Sequence, residues 1–192
     1  DIIMVGEIRD SDTANLATHA SLTGHLVFST LHTNDSIGVI PRLIDLGVEK
    51  YLIAPTLNLA MAQRLLRRLC QACKVRLKPN AGEEKIMAEA IDQMPEEIKK
   101  NLSNGFLIHK ASENGCSECH GKAYKGRIAI FEILEITDQV EKIILTGLSE
   151  SALKEESKRQ GMLTMFQDGI LKVIEGAVSL EELLEVAEIG NA

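Results

Sequence analysis

Two C-x-x-C pairs, Cys70-Gln-Ala-Cys73 and Cys116-Ser-Glu-Cys119, account for all the cysteine in the sequence. A pair at this spacing on a tight turn offers half of a tetrahedral sulfur site, so the two pairs together make the ligand set that structural zinc accepts. Four thiolates leave no open coordination position, which makes such a site structural rather than catalytic. The stretch between the pairs is longer than in the commonest zinc ribbons, so the ligands would clamp an excursion of the chain. Other chemistry fits parts of the pattern. A lone C-x-x-C reads as a redox pair, and Cys116 to His120 matches the haem-attachment pattern C-x-x-C-H. Haem would leave Cys70 and Cys73 without a role and needs an exported chain, which nothing else in the sequence supports. A reducing compartment keeps thiols available to metal and favours zinc over disulfides.

A second group of chemically capable residues lies near the start. Glu7 follows the apolar run Ile2-Ile-Met-Val5 and Gly6, the position at which an α/β sheet presents side chains beyond a strand's carboxyl end. A carboxylate there can orient water for attack on a phosphoryl group. From this strand alone, the plainer reading of Glu7 and Arg9 is a surface charge pair. The run Leu26-Val-Phe-Ser-Thr30 repeats the arrangement and brings Thr30, His32 and Asn34 to a neighbouring strand end. Polar groups from two strand ends then converge, which suits His32 to sensing a phosphate, while His25 at the strand's entry fits a structural role as well. His19, His109 and His120 fall outside this group.

The elements that must position these residues follow from periodicity. Ile2–Val5 reads as a strand buried on both faces, then a helix capped by Asp10 or Ser11 and stopped at Thr23-Gly24, then a strand over 26–30, together a βαβ unit. Helices are expected over 35–46 and 49–69, the second bent at Pro55. Helical stretches near 83–91 and 96–102 lie between the cysteine pairs. Arg127–Leu134 reads as a strand. Helices over 149–160, 163–174 and 179–186 finish the chain, with Ser179-x-x-Glu182 as a capping box.

The 192 residues are 45% hydrophobic, enough for a real core, and the net charge is −7 with 3% aromatics. That balance argues against a nucleic-acid-binding surface, which wants a basic field and stacking rings. No apolar stretch approaches the length of a membrane span and no signal peptide is evident, so a soluble intracellular chain is expected. Because Asp1 opens directly on an apolar run, the chain reads as a fragment of a longer one.

Over essentially its whole length the sequence resembles the secretion ATPases of type II secretion and type IV pilus assembly. Asp1-Ile-Ile-Met-Val-Gly-Glu7-Ile-Arg-Asp10 is similar to that family's Walker B strand, and Thr23 to Asp35 to its histidine box. Ala62 to Cys70, the second cysteine pair, Tyr124-Lys-Gly-Arg127 and the segment from Gly161 to Gly169 extend the match. The resemblance implies a RecA-like P-loop NTPase core of α/β class, truncated so that it lacks the P-loop, with an inserted zinc-binding subdomain and a helical C-terminal tail. The expected division is 1–69 for the core, 70–119 for the four-cysteine subdomain and 120–192 for a strand and helices.

The same resemblance implies Glu7 as the catalytic glutamate, His32 with His25 as monitors of the nucleotide, and Asp1, Arg9 and Thr30 in the nucleotide's vicinity. It implies Cys70, Cys73, Cys116 and Cys119 as zinc ligands. ATP and Mg²⁺ would serve the full-length subunit, a homohexamer peripheral to the cytoplasmic face of the inner membrane, where a platform protein is its partner. Nucleic acid is not expected as a ligand. No G-x-x-x-x-G-K-[ST] loop occurs in these residues, so they alone should not hydrolyse ATP efficiently. Ala123 stands where the family commonly has glycine. Two other readings remain: a related retraction or conjugation motor, against which the four cysteines argue, and a zinc-stabilised interaction module whose best support is the basic run Arg64, Arg67, Arg68, Lys74, Arg76 and Lys78.

Overall fold

The computed structural model describes residues 1–100, 102 and 107–187. In chain order the elements are β1 (Ile2–Met4), α1 (Ser11–Leu22), β2 (Leu26–Phe28), α2 (Val39–Asp45), α3 (Lys50–Thr56), β3 (Leu59–Leu69) and β4 (Val75–Leu77). There follow α4 (Ala81–Asp92), α5 (Glu96–Lys99), β5 (Ile108–Lys110), a single 3₁₀ turn (Ser117–Cys119) and β6 (Tyr124–Glu135). The remaining helices are α6 (Asp138–Thr146), α7 (Glu150–Arg159), α8 (Met165–Ile174) and α9 (Leu180–Val186).

These elements form two compact units, one of residues 1–62 and 133–162, the other of 63–132 and 163–192. The units cut the chain at other points than its change of character at the cysteines does. The four cysteines share the second unit with α8 and α9.

In the first unit β1 and β2 pair in parallel, with Ile2, Ile3 and Met4 opposite Leu26, Val27 and Phe28. The link between them is α1, as the βαβ expectation requires. Asp10 caps this helix by accepting the Thr13 N–H at 2.8 Å, and Gly24, at φ +93°, turns the chain back toward β2. The strands differ from expectation in one respect. Val27 packs against the core and Ile3 is half-buried, whereas Ile2 and Met4 are 70% and 68% exposed within these residues. The core behind them joins Ala14, Ile40, Ile53, Leu134, Val140 and Ile144.

The expected helix over 49–69 is a helix only as far as Thr56. Beyond it, β3 runs for 11 residues and pairs with β6. The segment Leu59-Ala-Met-Ala-Gln-Arg-Leu-Leu-Arg-Arg-Leu69 is built of good helix formers, and the pairing overrides that propensity. The helix expected over 35–46 is shortened to α2, because the Asp35 carboxylate takes the Gly38 N–H at 2.7 Å and fixes a turn first.

In the second unit β4 and β5 are antiparallel, with Arg76 opposite His109. The core gathers Leu66, Met87, Ile108, Ile130, Ile170, Val173 and Leu183, all closed to solvent. Helices α4, α8 and α9 begin where expected to within a few residues, and Ser179 caps α9 through the Glu182 N–H at 3.3 Å. The expected helix over 96–102 is observed as α5, and its position 101 lies outside the described residues.

Candidate functional site: a carboxylate strand end and a four-cysteine cluster

Parallel pairing puts the carboxyl ends of β1 and β2 side by side, and backbone bonds go on tying the chain beyond them, with a slip of one residue after Val5. The Val5 N–H donates to the Phe28 carbonyl at 2.8 Å, and the Ile8 N–H to the Thr30 carbonyl at 2.9 Å. The Thr30 hydroxyl donates to the Gly6 carbonyl at 2.9 Å, a further tie across the two strand ends. Glu7 is held between these bonds. One of its oxygens, Oε1, meets His32 Nε2, and the other, Oε2, meets Arg9 Nε at 2.5 Å. Burial works to raise the Glu7 pKa, but the His32 and Arg9 contacts outweigh it and hold the carboxyl below the ordinary glutamate range. Glu7 is therefore a carboxylate at neutral pH.

The structure thus brings Glu7, Arg9, Thr30 and His32 together. It places His25 and Asp1 at the other end of the strand pair. His25 Nδ1 lies 3.1 Å from the Ala20 carbonyl and 3.2 Å from the Thr23 hydroxyl, which closes the end of α1. The Asp1 carbonyl accepts the Leu26 N–H at 3.1 Å. The turn after His32 borders a cleft of about 480 Å³ lined by Thr33, Asp35, Gly38, Arg42 and Leu153 among others.

In the second unit the four cysteine sulfurs lie within 4.8 Å of one another. Cys70 and Cys116 are 3.7 Å apart at sulfur, Cys73 and Cys119 3.8 Å, and Cys116 and Cys119 3.8 Å. The two pairs sit on similar turns. Lys74 N–H returns to the Cys70 carbonyl at 2.9 Å, and Gly121 N–H to the Cys116 carbonyl at 3.0 Å. The Cys70 N–H, donating to the Ala123 carbonyl at 2.9 Å, ties one turn to the other.

Backbone donors that no sequence pattern points to complete the cluster. The N–H groups of Cys116 and Ala123 approach Cys119 Sγ at 3.1 and 3.2 Å. Burial alone would raise that thiol, but these donors and the neighbouring sulfurs bring it down to about 6. Cys73 goes the other way: the Ser112 hydroxyl pulls it down, yet burial and the three other sulfurs push it up to about 12. Ala123 adopts φ +60°, the left-handed conformation that glycine takes without strain, which explains why glycine suits this position. The basic run is not one free surface, since Arg67 is engaged by Glu182 at 2.5 Å and lies over the Tyr124 ring.

The family model for type II/IV secretion system proteins matches residues 1–185. The chain belongs to this family. It is 44% identical over 189 residues to the type IV pilus assembly ATPase PilB of Thermus thermophilus, covering 96% of this chain and 20% of that protein. To PilB of Myxococcus xanthus it is 41% identical over 186 residues, 96% of this chain and 31% of the relative. To the type II secretion system ATPase E of Vibrio cholerae it is 39% identical over 188 residues, 98% and 35%. The chain therefore spans between 20% and 35% of the length of these relatives. Among solved structures the α/β fold is similar to the pilus retraction motor PilT with bound ADP, with a TM-score of 0.59 at 23% identity over 100% of this chain and 40% of that one. It is also similar to the Legionella pneumophila ATPase DotB, with a TM-score of 0.59 at 22% identity over 96% and 37%. Among the described residues no helix is long and apolar enough to cross a membrane.

Proposed function

We propose that this chain is part of an ATP-hydrolysing motor subunit that drives type IV pilus assembly or type II protein secretion. The observation that carries the reading is the ionised Glu7 at the end of β1, fixed by His32 from the adjacent strand end. In phosphoryl transfer to water the protein's task is positioning and charge stabilisation, and a carboxylate held at a strand end orients the attacking water. His32 touches that carboxylate from the neighbouring strand, so a change at the phosphate reaches β2 through one side chain. Arg9 and Thr30 stand beside them, whereas His25 and Asp1 support the strand pair from its far end.

The core is RecA-like in this reading, and the phosphate-cradling loop, ATP and Mg²⁺ belong to the full-length subunit. So do a homohexameric ring and a platform protein at the cytoplasmic face of the inner membrane. The sulfur cluster fits zinc. With zinc–sulfur bonds of about 2.3 Å, the edge of a regular tetrahedron is about 3.8 Å, and the shortest sulfur separations here are 3.7 to 3.8 Å. Cys70, Cys73, Cys116 and Cys119 would hold the ion, which supplies a cross-link between β3 and the start of β6 rather than any reaction chemistry.

In the full-length subunit, Glu7→Gln should lower the ATP turnover number by about 100-fold or more while leaving nucleotide binding intact. A normal rate in that variant would sink the assignment of Glu7.

A further inference from the structure

Both oxygens of Glu7 are engaged, one by His32 and one by Arg9. A carboxylate in that condition is a weak base, because a guanidinium and an imidazole nitrogen occupy its two oxygens and compete with water for its lone pairs. We propose that Arg9 is a positioning residue that latches Glu7, and that a phosphate-bearing anion arriving at the strand end draws the Arg9 guanidinium away and frees Oε2 for water. The proposal rests on the reading of Glu7 as the hydrolytic carboxylate.

The geometry assigns the moving part. Between Glu7 and Arg9, Ile8 is 6% exposed and its N–H is bonded to the Thr30 carbonyl, so the backbone that carries both side chains is pinned. The Arg9 side chain is 73% exposed and the Glu7 side chain 27%. Arg9 can therefore swing through solvent without stranding a buried charge, while Glu7 keeps its place. A guanidinium is permanently charged, and its fork matches phosphate oxygens as well as carboxylate oxygens. Two anions compete for one cation, and the more highly charged phosphate wins when it is present. His32, reaching Glu7 from β2, stays on Oε1 and keeps the carboxylate aimed. No bond is made or broken in this step; one ion pair is exchanged for another, and a water takes the vacated oxygen.

The test has two arms. In this chain, the Glu7 carboxyl is titrated by carbon-detected NMR. Arg9→Gln should move its midpoint upward and Arg9→Lys should restore most of the shift. An unmoved midpoint overturns the latch. In the full-length subunit, Arg9→Gln should raise the turnover number without partner several-fold, shift the acidic limb of the pH–rate profile upward with the Glu7 midpoint, and raise KM for ATP. A loss of turnover with the acidic limb unmoved overturns the proposal and makes Arg9 a direct phosphate ligand only. Undiminished turnover in Glu7→Gln, with the NMR midpoint still responding to Arg9, would instead remove the hydrolytic reading of Glu7 and leave the ion-pair geometry standing.

Discussion

Glu182 is held by a single residue: the Arg67 backbone N–H donates to Oε1 at 2.8 Å, and the Arg67 Nε and Nη2 reach Oε2 at 2.7 and 2.5 Å. The same guanidinium lies 4.5 Å from the centre of the Tyr124 ring, so α9, β3 and β6 meet at one cation. Glu182 is 4% exposed, and a carboxylate that deep is tolerated only because it is paired. Burial raises its pKa, but the Arg67 side chain and backbone outweigh burial and hold it below the ordinary range. A pKa lower in the folded than in the unfolded state adds stability above the unfolded value, about 4.3 for glutamate. That stability is lost as the pH falls through the folded value. Glu182→Gln should cost about 1 to 3 kcal/mol near neutral pH. The penalty should shrink as urea unfolding is repeated at successively lower pH below about 4.3, and a pH-independent penalty would show that shape rather than charge holds the site.

Metal content tests the cysteine cluster. Protein purified without added metal should carry one zinc per chain and show four thiols protected from alkylation. Chelation should remove amide-exchange protection first around Cys70 to Lys74 and Cys116 to Ala123, where the turns are closed by bonds to the two leading carbonyls. Cys116→Ser should have the same effect without chelator, because a structural zinc site contributes its binding energy directly to folding. Four reactive thiols and no metal in a folded chain would remove zinc from the proposal.

Gly169 sits inside α8, where alanine is ordinarily the better helix former by about 1 kcal/mol. A Cβ added there runs into both methyl carbons of Leu183, a fully buried residue of α9. Gly169→Ala should therefore destabilise the chain by about 1 to 3 kcal/mol despite the gain in propensity. Pairing it with Leu183→Val should recover part of the loss, and thermal unfolding of the single and double variants measures both.

Where local signals and tertiary packing agree, the sequence is legible. The βαβ start, the caps at Asp10 and Ser179, the convergence of Glu7 with His32, and the sulfur cluster are each written in residue types at fixed spacing. The misreadings have physical causes. Residues 59–69 carry helix-forming side chains but pair as β3, because strand pairing depends on a partner, β6, that lies far along the sequence. The short antiparallel β4–β5 pair left no signal, its strands being three residues each and separated in sequence by α4 and α5. His25 and His32 look alike in sequence and sit at opposite ends of β2, a distinction that only the strand's direction makes. The N–H donors to Cys119 are backbone groups and have no residue signature.

That β3 is a strand rather than a helix predicts a particular sensitivity of adjacent leucines. Along Leu59–Leu66 burial alternates, with Ala60, Ala62 and Leu66 inward and Leu59, Met61 and Leu65 outward. Leu66 is closed to solvent and belongs to the core of Ile130, Ile170 and Val173, whereas Leu65 is 51% exposed. Leu66→Ala should cost about 2 to 5 kcal/mol through lost burial and a residual cavity, and Leu65→Ala about 0.5 kcal/mol or less. Extending the series to Ala62 and Met61 sharpens the contrast: Ala62→Asp should prevent stable folding while Met61→Asp is tolerated, since only the first buries a charge without a partner. A helix would instead put Leu59, seven residues from Leu66, on the same buried face, whereas the strand leaves Leu59 outward. Equal costs at Leu65 and Leu66, measured by denaturant unfolding, would contradict the two-residue period and with it the pairing of β3 with β6.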